Sequence, residues 1–200
     1  KDVPVLVGID GIDASGKTIL ANALSALLTT LNKSVIRASI DNFHNPEVIR
    51  YRRGKNSPEG YYFDSFNNKA VIDNLLNPLS SGGLIYKTGF FDFLTNSEIK
   101  LPKQRAQIDS ILIMDGVFLF RPELVKYWDL KIFLDVDFNI NVQRAMGRAI
   151  DKKNLGSEAK IQAKYEKRYV PGQKLYFEEA LPKEKAHIIN MKLLSLQPES

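Results

Sequence analysis

The sequence predicts an α/β fold: a doubly wound parallel sheet of about five strands, flanked by helices and carrying a helical lid. Three observations predict it. Short apolar runs alternate with helix-patterned segments, the order that builds parallel crossovers. A glycine-bounded octet, Gly11-Ile12-Asp13-Ala14-Ser15-Gly16-Lys17-Thr18, stands between the first apolar run and the first helical pattern. Two further apolar runs end on aspartate, at Asp41 and Asp115. That is the end of a parallel strand where ligands bind.

The elements follow in order. Residues 3–9 form the first strand. The helix after the octet carries Leu20, Leu24, Leu27 and Leu31 as an apolar stripe. Asn32-Lys33 ends it, and residues 34–40 make a second strand. Residues 45–65 are polar, aromatic and rich in turn formers. A helix over 66–76 is closed by Asn77-Pro78, and Ser80-Ser81-Gly82-Gly83 is a turn. Residues 111–114 are a buried parallel strand, 122–127 a short helix and 130–136 another strand. Residues 140–152 and 157–168 are helical, and Pro171-Gly172 breaks the second helix. A last short strand covers 186–190. The chain, 1–200, reads as a single domain with a lid near 148–171.

Composition limits the function. With 200 residues there is room for one α/β core. No segment has the length of a membrane span. There is no cysteine, which removes disulfides, thiolate nucleophiles and cysteine zinc sites. No secretory start is visible, and the expected location is cytoplasmic. The net charge of +5 is spread along the chain without a basic–aromatic nucleic-acid motif. The expected partners are therefore a nucleotide and a small-molecule acceptor, with no nucleic acid and no membrane. Oligomerisation is left open. Only His44 and His187 are available, which excludes Ser-His-Asp and paired-histidine zinc chemistry.

The octet reads G-x-x-x-x-G-K-T, the phosphate-binding loop of the P-loop NTPase fold in its strand–loop–helix context. Gly11 and Gly16 permit a backbone that wraps a polyphosphate. The amides of Asp13, Ala14, Ser15 and Gly16 then point inward, together with the first helical turn around Ile19. Lys17 would reach the β- and γ-phosphates of ATP, and the Thr18 hydroxyl would bind Mg²⁺.

Asp115 has the position of a second acidic residue at such a site, on Mg²⁺ directly or through water; the bland alternative is a turn aspartate before glycine. Asp41 ends the neighbouring strand. Phosphoryl transfer to an alcohol needs a carboxylate there to orient the hydroxyl and accept its proton, while a turn or helix cap is the competing role. Arg144 and Arg148 are four apart, hence on one helical face, and could neutralise a transferring phosphoryl group; a solvated face paired with Asp151 is the alternative. Arg52, Arg53 and Lys55 are either a solvated loop or a site for an acidic substrate.

Together these segments resemble the uridine kinase group of P-loop kinases. The resemblance rests on Gly8 to Thr18, Asp41-Asn42-Phe43-His44, Asp115-Gly116-Val117-Phe118-Leu119, Arg121-Pro122-Glu123-Leu124 and Trp128-Asp129. Tyr51-Arg52-Arg53-Gly54, Ser57-Pro58-Glu59-Gly60-Tyr61-Tyr62 and Arg168-Tyr169-Val170-Pro171-Gly172-Gln173 are similar to stretches of bacterial uridine-kinase-like proteins. Phosphoribulokinase and bacterial pantothenate kinase are more distant relatives. The resemblance implies that Asp41 is the catalytic aspartate and also helps hold Mg²⁺. It implies that Asp64 binds ribose hydroxyls and that Arg144 and Arg148 are lid arginines over the phosphates. The group's Y-D-x-x-x-H-x-R-like stretch near the base pocket is altered here. Phe91, Asn96 and Glu98 stand for tyrosine, histidine and arginine, so Phe43 and His44 become acceptor-pocket candidates instead, beside Arg53 of the basic cluster that follows the acceptor aspartate. The aspartate expected two positions after Asn190 is Lys192.

Two functional classes result. One is a kinase passing the γ-phosphoryl group of ATP·Mg²⁺ to a uridine- or cytidine-like nucleoside, with pantothenate or a sugar or sugar phosphate as alternative acceptors. The other is a regulatory P-loop module that binds nucleotide without efficient transfer.

Overall fold

The computed structural model describes residues 2–190. The position of Lys192, and with it the end of the 1–200 domain, lies outside the described residues. Five parallel strands form the main sheet: β1 (Val5–Gly11), β2 (Val35–Ser39), β3 (Ile111–Asp115), β4 (Leu130–Leu134) and β5 (Ile188–Asn190). Their order is β2-β3-β1-β4-β5. Register pairs Ile9 with Asp115 and Ser39 with Asp115, so the carboxyl ends of β1, β2 and β3 lie level. This brings the loop after Gly11, the turn at Asp41 and the carboxylate of Asp115 to one edge.

Alternation along the strands separates two cores. Val7, Ile9, Ile113, Ile132 and Leu134 face helix α1 (Lys17–Thr30) on one side. Leu6, Ile36, Ala38, Leu112, Met114 and Phe133 face the larger aromatic core on the other. Helix α1 meets the sheet through Leu20, Ala21, Leu24 and Leu28. Leu27 and Leu31 are exposed. The predicted stripe follows the 3.6-residue period, but the face that packs also takes in Ala21 and Leu28 and is centred to that side of Leu24. Leu27 is left at its edge, and Leu31 lies past the last turn.

Both prolines expected to stop a helix lie inside one. Residues 68–80 are helical through Pro78, with a π-turn at Ile72–Leu76. Helix α5 (Glu158–Lys164) likewise runs through a π-turn at Tyr165–Tyr169 into α6 (Val170–Ala180), past Pro171. Each π-turn begins six residues before its proline, where the wider turn accommodates the ring. The Asn74 carbonyl, which an ordinary residue at position 78 would bond, instead accepts the Lys87 N–H at 2.9 Å. Proline stops a helix only when no such detour exists.

The turn-rich region contains a helix that polarity concealed: α2 (Pro58–Asp64), with the Ser57 hydroxyl accepting from Gly60 N at 2.9 Å and Pro58 in the first turn. It packs on α6 at Gly172, where a Cβ would stand 2.8 Å from the Pro58 carbonyl. The expected helix over 140–152 is two helices, α3 (Phe138–Gly147) and α4 (Ala149–Leu155), parted by Arg148 in extended conformation. Arg144 and Arg148 therefore do not share one helical face. Among the described residues no helix is long and apolar enough to cross a membrane.

Candidate active site

The chain leaves β1 at Gly11 and turns into α1 through Ala14 and Gly16, whose φ values are 53° and 95°. At Gly16 nothing lies within 4 Å of a would-be Cβ, so backbone conformation, not crowding, favours glycine there. Lys17 arches back over the loop: its Nζ donates to the Ile12 carbonyl at 2.5 Å and lies 3.4 Å from Ser15 Oγ. Burial lowers the lysine's pKa, while Asp13, Asp10, Asp115 and Asp41 pull it back up. A buried ammonium beside a glycine-bounded loop is chemistry that suits polyphosphate. Two of the amides expected to point inward are bonded within the protein here, Asp13 N–H to Gln173 Oε1 and Ser15 N–H to the Ile12 carbonyl, each at 3.3 Å.

A cavity of about 480 Å³ opens over this loop. Residues 13–19 form its floor, Asp41 and Asp115 one wall, and Arg144 and Arg148 its roof. Gly11 is beneath the floor, buried against Leu134. Arg144 reaches the cavity from α3 and Arg148 from the break itself, so both line it although they do not share a helical face. Arg148 lies 3.5 Å from Asp151, the ion pair expected of the solvated alternative, yet it lines the cavity too.

The acidic groups differ in their surroundings. Asp115 is 3 % exposed, and its Oδ2 accepts the Thr18 hydroxyl at 2.6 Å. Its Oδ1 accepts Arg37 Nη2 at 2.7 Å. Asp41 follows β2 in a single 3-10 turn, Ile40–Asn42, with its N–H held by Ser39 Oγ at 3.3 Å. Its carboxylate is exposed to the cavity, whose walls reduce its hydration. That desolvation, and then the charge of Asp115, raise its pKa; Lys17 and Arg148 oppose the rise. Asp13 receives Tyr61 Oη at 2.7 Å and Gln173 Nε2 at 2.8 Å, which ties the loop to α2 and α6. Asp10, fully buried one strand residue before the loop, is pushed up to about 6 by burial despite bonds from Tyr176 and the Gly11 and Phe120 amides.

A second cavity of about 350 Å³ adjoins the first and shares Asp13, Asp41, Val117 and Arg148 with it. Aromatic rings, among them Tyr51, Tyr61, Phe66 and Phe93, form much of its wall. His44 lines it as well, between the rings of Phe66 (4.5 Å) and Phe93 (4.8 Å), with Nδ1 donating to the Asp41 carbonyl at 2.8 Å. Burial lowers its pKa to about 4, so it is neutral at physiological pH. The altered stretch around Phe91 is a hairpin, Phe91–Asp92 against Ser97–Glu98, whose Phe93 and Leu94 reach this cavity. Its Asn96 Oδ1 accepts Glu47 N at 2.8 Å and thereby braces the opposite wall.

Three expected acceptor residues lie elsewhere. Phe43 is fully buried in the aromatic core. Asp64 and Arg53 bind each other: Asp64, 2 % exposed, accepts Arg53 Nε at 2.8 Å and also pairs with Arg52. Burial would raise the Asp64 pKa, but the two arginines together hold it below the ordinary value. On its other side the same loop is gripped by Arg168, itself buried, which donates to the carbonyls of Ser57 (2.9 Å) and Arg50 (3.0 Å) and lies over the Tyr51 ring. Buried ions of opposite sign thus clamp residues 50–57, and Arg50 and Tyr51 are presented to the second cavity. Sequence inspection gives no signal for Arg168 beyond its place in a shared stretch. Its replacement by methionine removes the guanidinium from the Arg50 carbonyl and leaves the Ser57 carbonyl only its bond from Tyr61 N. The change is expected to cost about 3 kcal/mol, or roughly 10 °C of thermal midpoint. A calorimetric melt of Arg168→Met checks this.

A parallel sheet in this order, with a lysine-bearing glycine loop at the carboxyl end of its central strand, defines a P-loop kinase architecture. The chain belongs to the phosphoribulokinase/uridine kinase family, whose model matches residues 6–189. The resemblance read from the motifs is borne out at that level. Among curated relatives, a uridine kinase of Leuconostoc citreum is 26% identical over 151 residues, covering 75% of this chain and 70% of that protein. A uridine-cytidine kinase B of Dictyostelium discoideum is 26% identical over 164 residues, covering 82% and 65%. The structure of a possible uridine kinase from Bacillus stearothermophilus superposes with a TM-score of 0.74 at 24% identity, covering 94% and 89% of the two chains. That likeness speaks for the fold.

Proposed function

We propose that the chain is an ATP-dependent small-molecule kinase that phosphorylates a hydroxyl of an uncharged, polyhydroxylated acceptor, a pyrimidine nucleoside first among them. The observation that carries this is the shared wall: Asp41 and Arg148 border both cavities. Donor and acceptor would meet at a carboxylate and a guanidinium. A regulatory nucleotide-binding module has no need of a second cavity ending on the same aspartate.

In this reading the loop amides and Lys17 bind the triphosphate. Arg144 and Arg148 neutralise charge on the moving phosphoryl group. Asp41 orients the acceptor hydroxyl and accepts its proton late in the transfer. Thr18 and Asp115 place a hydroxyl and a carboxylate oxygen together, the hard donors that suit Mg²⁺, with Asp41 on the same wall. When bound, Mg²⁺ neutralises phosphate charge.

The acceptor class follows from the charges around the second cavity. Asp13, Asp41, Glu47 and Asp151 stand against Arg50 and Arg148 only. Surplus negative charge repels pantothenate or a sugar phosphate and suits hydroxyl donors, which carboxylates bind well. Relatives named for uridine and cytidine favour the nucleoside. A purified-enzyme panel tests this, following ADP release with uridine, cytidine, free sugars, sugar phosphates and pantothenate. Turnover with uridine or cytidine, and none with the anionic acceptors, is expected. Tight ATP binding without turnover on any of them returns the regulatory module.

A further inference from the structure

We propose that Arg37 is a positioning residue: by holding Asp115 Oδ1 it aims Oδ2 at Thr18 and so fixes the oxygen pair that would receive the magnesium of Mg·ATP. The proposal rests on the reading of Thr18 and Asp115 as the cation site. No loop motif includes Arg37, which is an interior residue of β2.

Each nitrogen of the guanidinium has a partner. Its Nε donates to Asn22 Oδ1 on α1 at 3.1 Å, and Nη1 bonds the Ala38 carbonyl and reaches the Ile113 carbonyl at 3.3 Å. Nη2 takes Asp115 Oδ1 at 2.7 Å. One planar group therefore crosslinks α1, β2 and β3, the elements that carry Thr18, lead to Asp41 and end in Asp115. Its location follows from strand alternation: Val35, Arg37 and Ser39 point to the α1 side, and register sets Arg37 beside Ile113, two residues before Asp115.

An aspartate at a strand end is free to rotate its carboxylate. Here each oxygen has its own donor, a guanidinium on one and a hydroxyl on the other. With Oδ1 taken, Asp115 offers one oxygen, not two, to a cation. Lysine could supply the charge but not the three-directional fork. Groups that orient metal ligands in this way commonly govern metal affinity by 10- to 100-fold.

The test uses Arg37→Met and Arg37→Lys of the whole chain, with ADP titrated by calorimetry in the presence and absence of Mg²⁺, and Mn²⁺ binding to the ADP complex followed by electron paramagnetic resonance. Metal-free ADP affinity is expected to stay within a few-fold of wild type. The metal-dependent gain, and Mn²⁺ affinity, are expected to fall about tenfold or more in Arg37→Met. Arg37→Lys, which keeps the charge and carries the test if the methionine variant does not fold, is expected to fall in between. Metal dependence at the wild-type level in a folded variant, even with a lowered melting temperature, overturns the proposal and leaves the arginine a structural crosslink. Failure of the wild-type protein to bind Mg·ADP overturns the reading of the site itself, and the proposal with it.

Discussion

Asp41→Asn is expected to slow phosphoryl transfer about 10³-fold while nucleotide affinity stays within a few-fold of wild type. The substitution keeps the shape of the side chain and the 3-10 turn that positions it, since the turn is held by the backbone N–H and Ser39. What it removes is the charge proposed to orient the acceptor hydroxyl and take its proton. Because desolvation and the Asp115 charge raise the Asp41 pKa, the acid limb of the wild-type rate profile should lie above the ordinary aspartate range, with kcat rising as pH rises through it. The asparagine variant should lack that limb. Steady-state kinetics across pH, with calorimetry for ATP, checks both statements; near-normal turnover would remove Asp41 from the chemistry.

Lys17→Met is expected to lower kcat by about 10²- to 10³-fold and to weaken ATP binding as well. The lysine is the cation at the floor of the loop, desolvated and drawn upon by four aspartates. Methionine fills the same channel toward Ile12 without the charge, so the protein should fold normally by circular dichroism. The two variants then separate by kind. Loss of Asp41 affects transfer alone, whereas loss of Lys17 affects both binding and transfer, because its charge serves the ground state as well as the transition state. Wild-type ATP affinity in Lys17→Met would count against the loop as the triphosphate site.

The parallel sheet, the loop and the two terminal aspartates were legible because each is local. An apolar run, a glycine spacing or a strand-ending acid is visible within ten residues. Errors came where a distant partner decided the outcome. Pro78 was read as a stop, but Lys87 supplies the donor that satisfies the freed Asn74 carbonyl. Arg144 and Arg148 were placed on one face, but the extended backbone at Arg148 divides their helix. Asp64 and Arg53 were read as reaching for a substrate, and they reach for each other.

What the sequence by itself determined is the backbone machine: a P-loop after a buried strand, the order of the parallel elements, and membership of a kinase family. The first two follow from periodicity and from glycine dihedral limits, which act on neighbours along the chain; the family follows from the resemblance of the motifs. Only the tertiary structure decided which side chains share a cavity, that Arg37 and Thr18 divide the oxygens of Asp115, and that Arg168 holds the segment bordering the second cavity. Charges and hydrogen bonds act through space over a few ångströms, and such pairings, 78 residues apart for Arg37 and Asp115, leave no trace in local pattern.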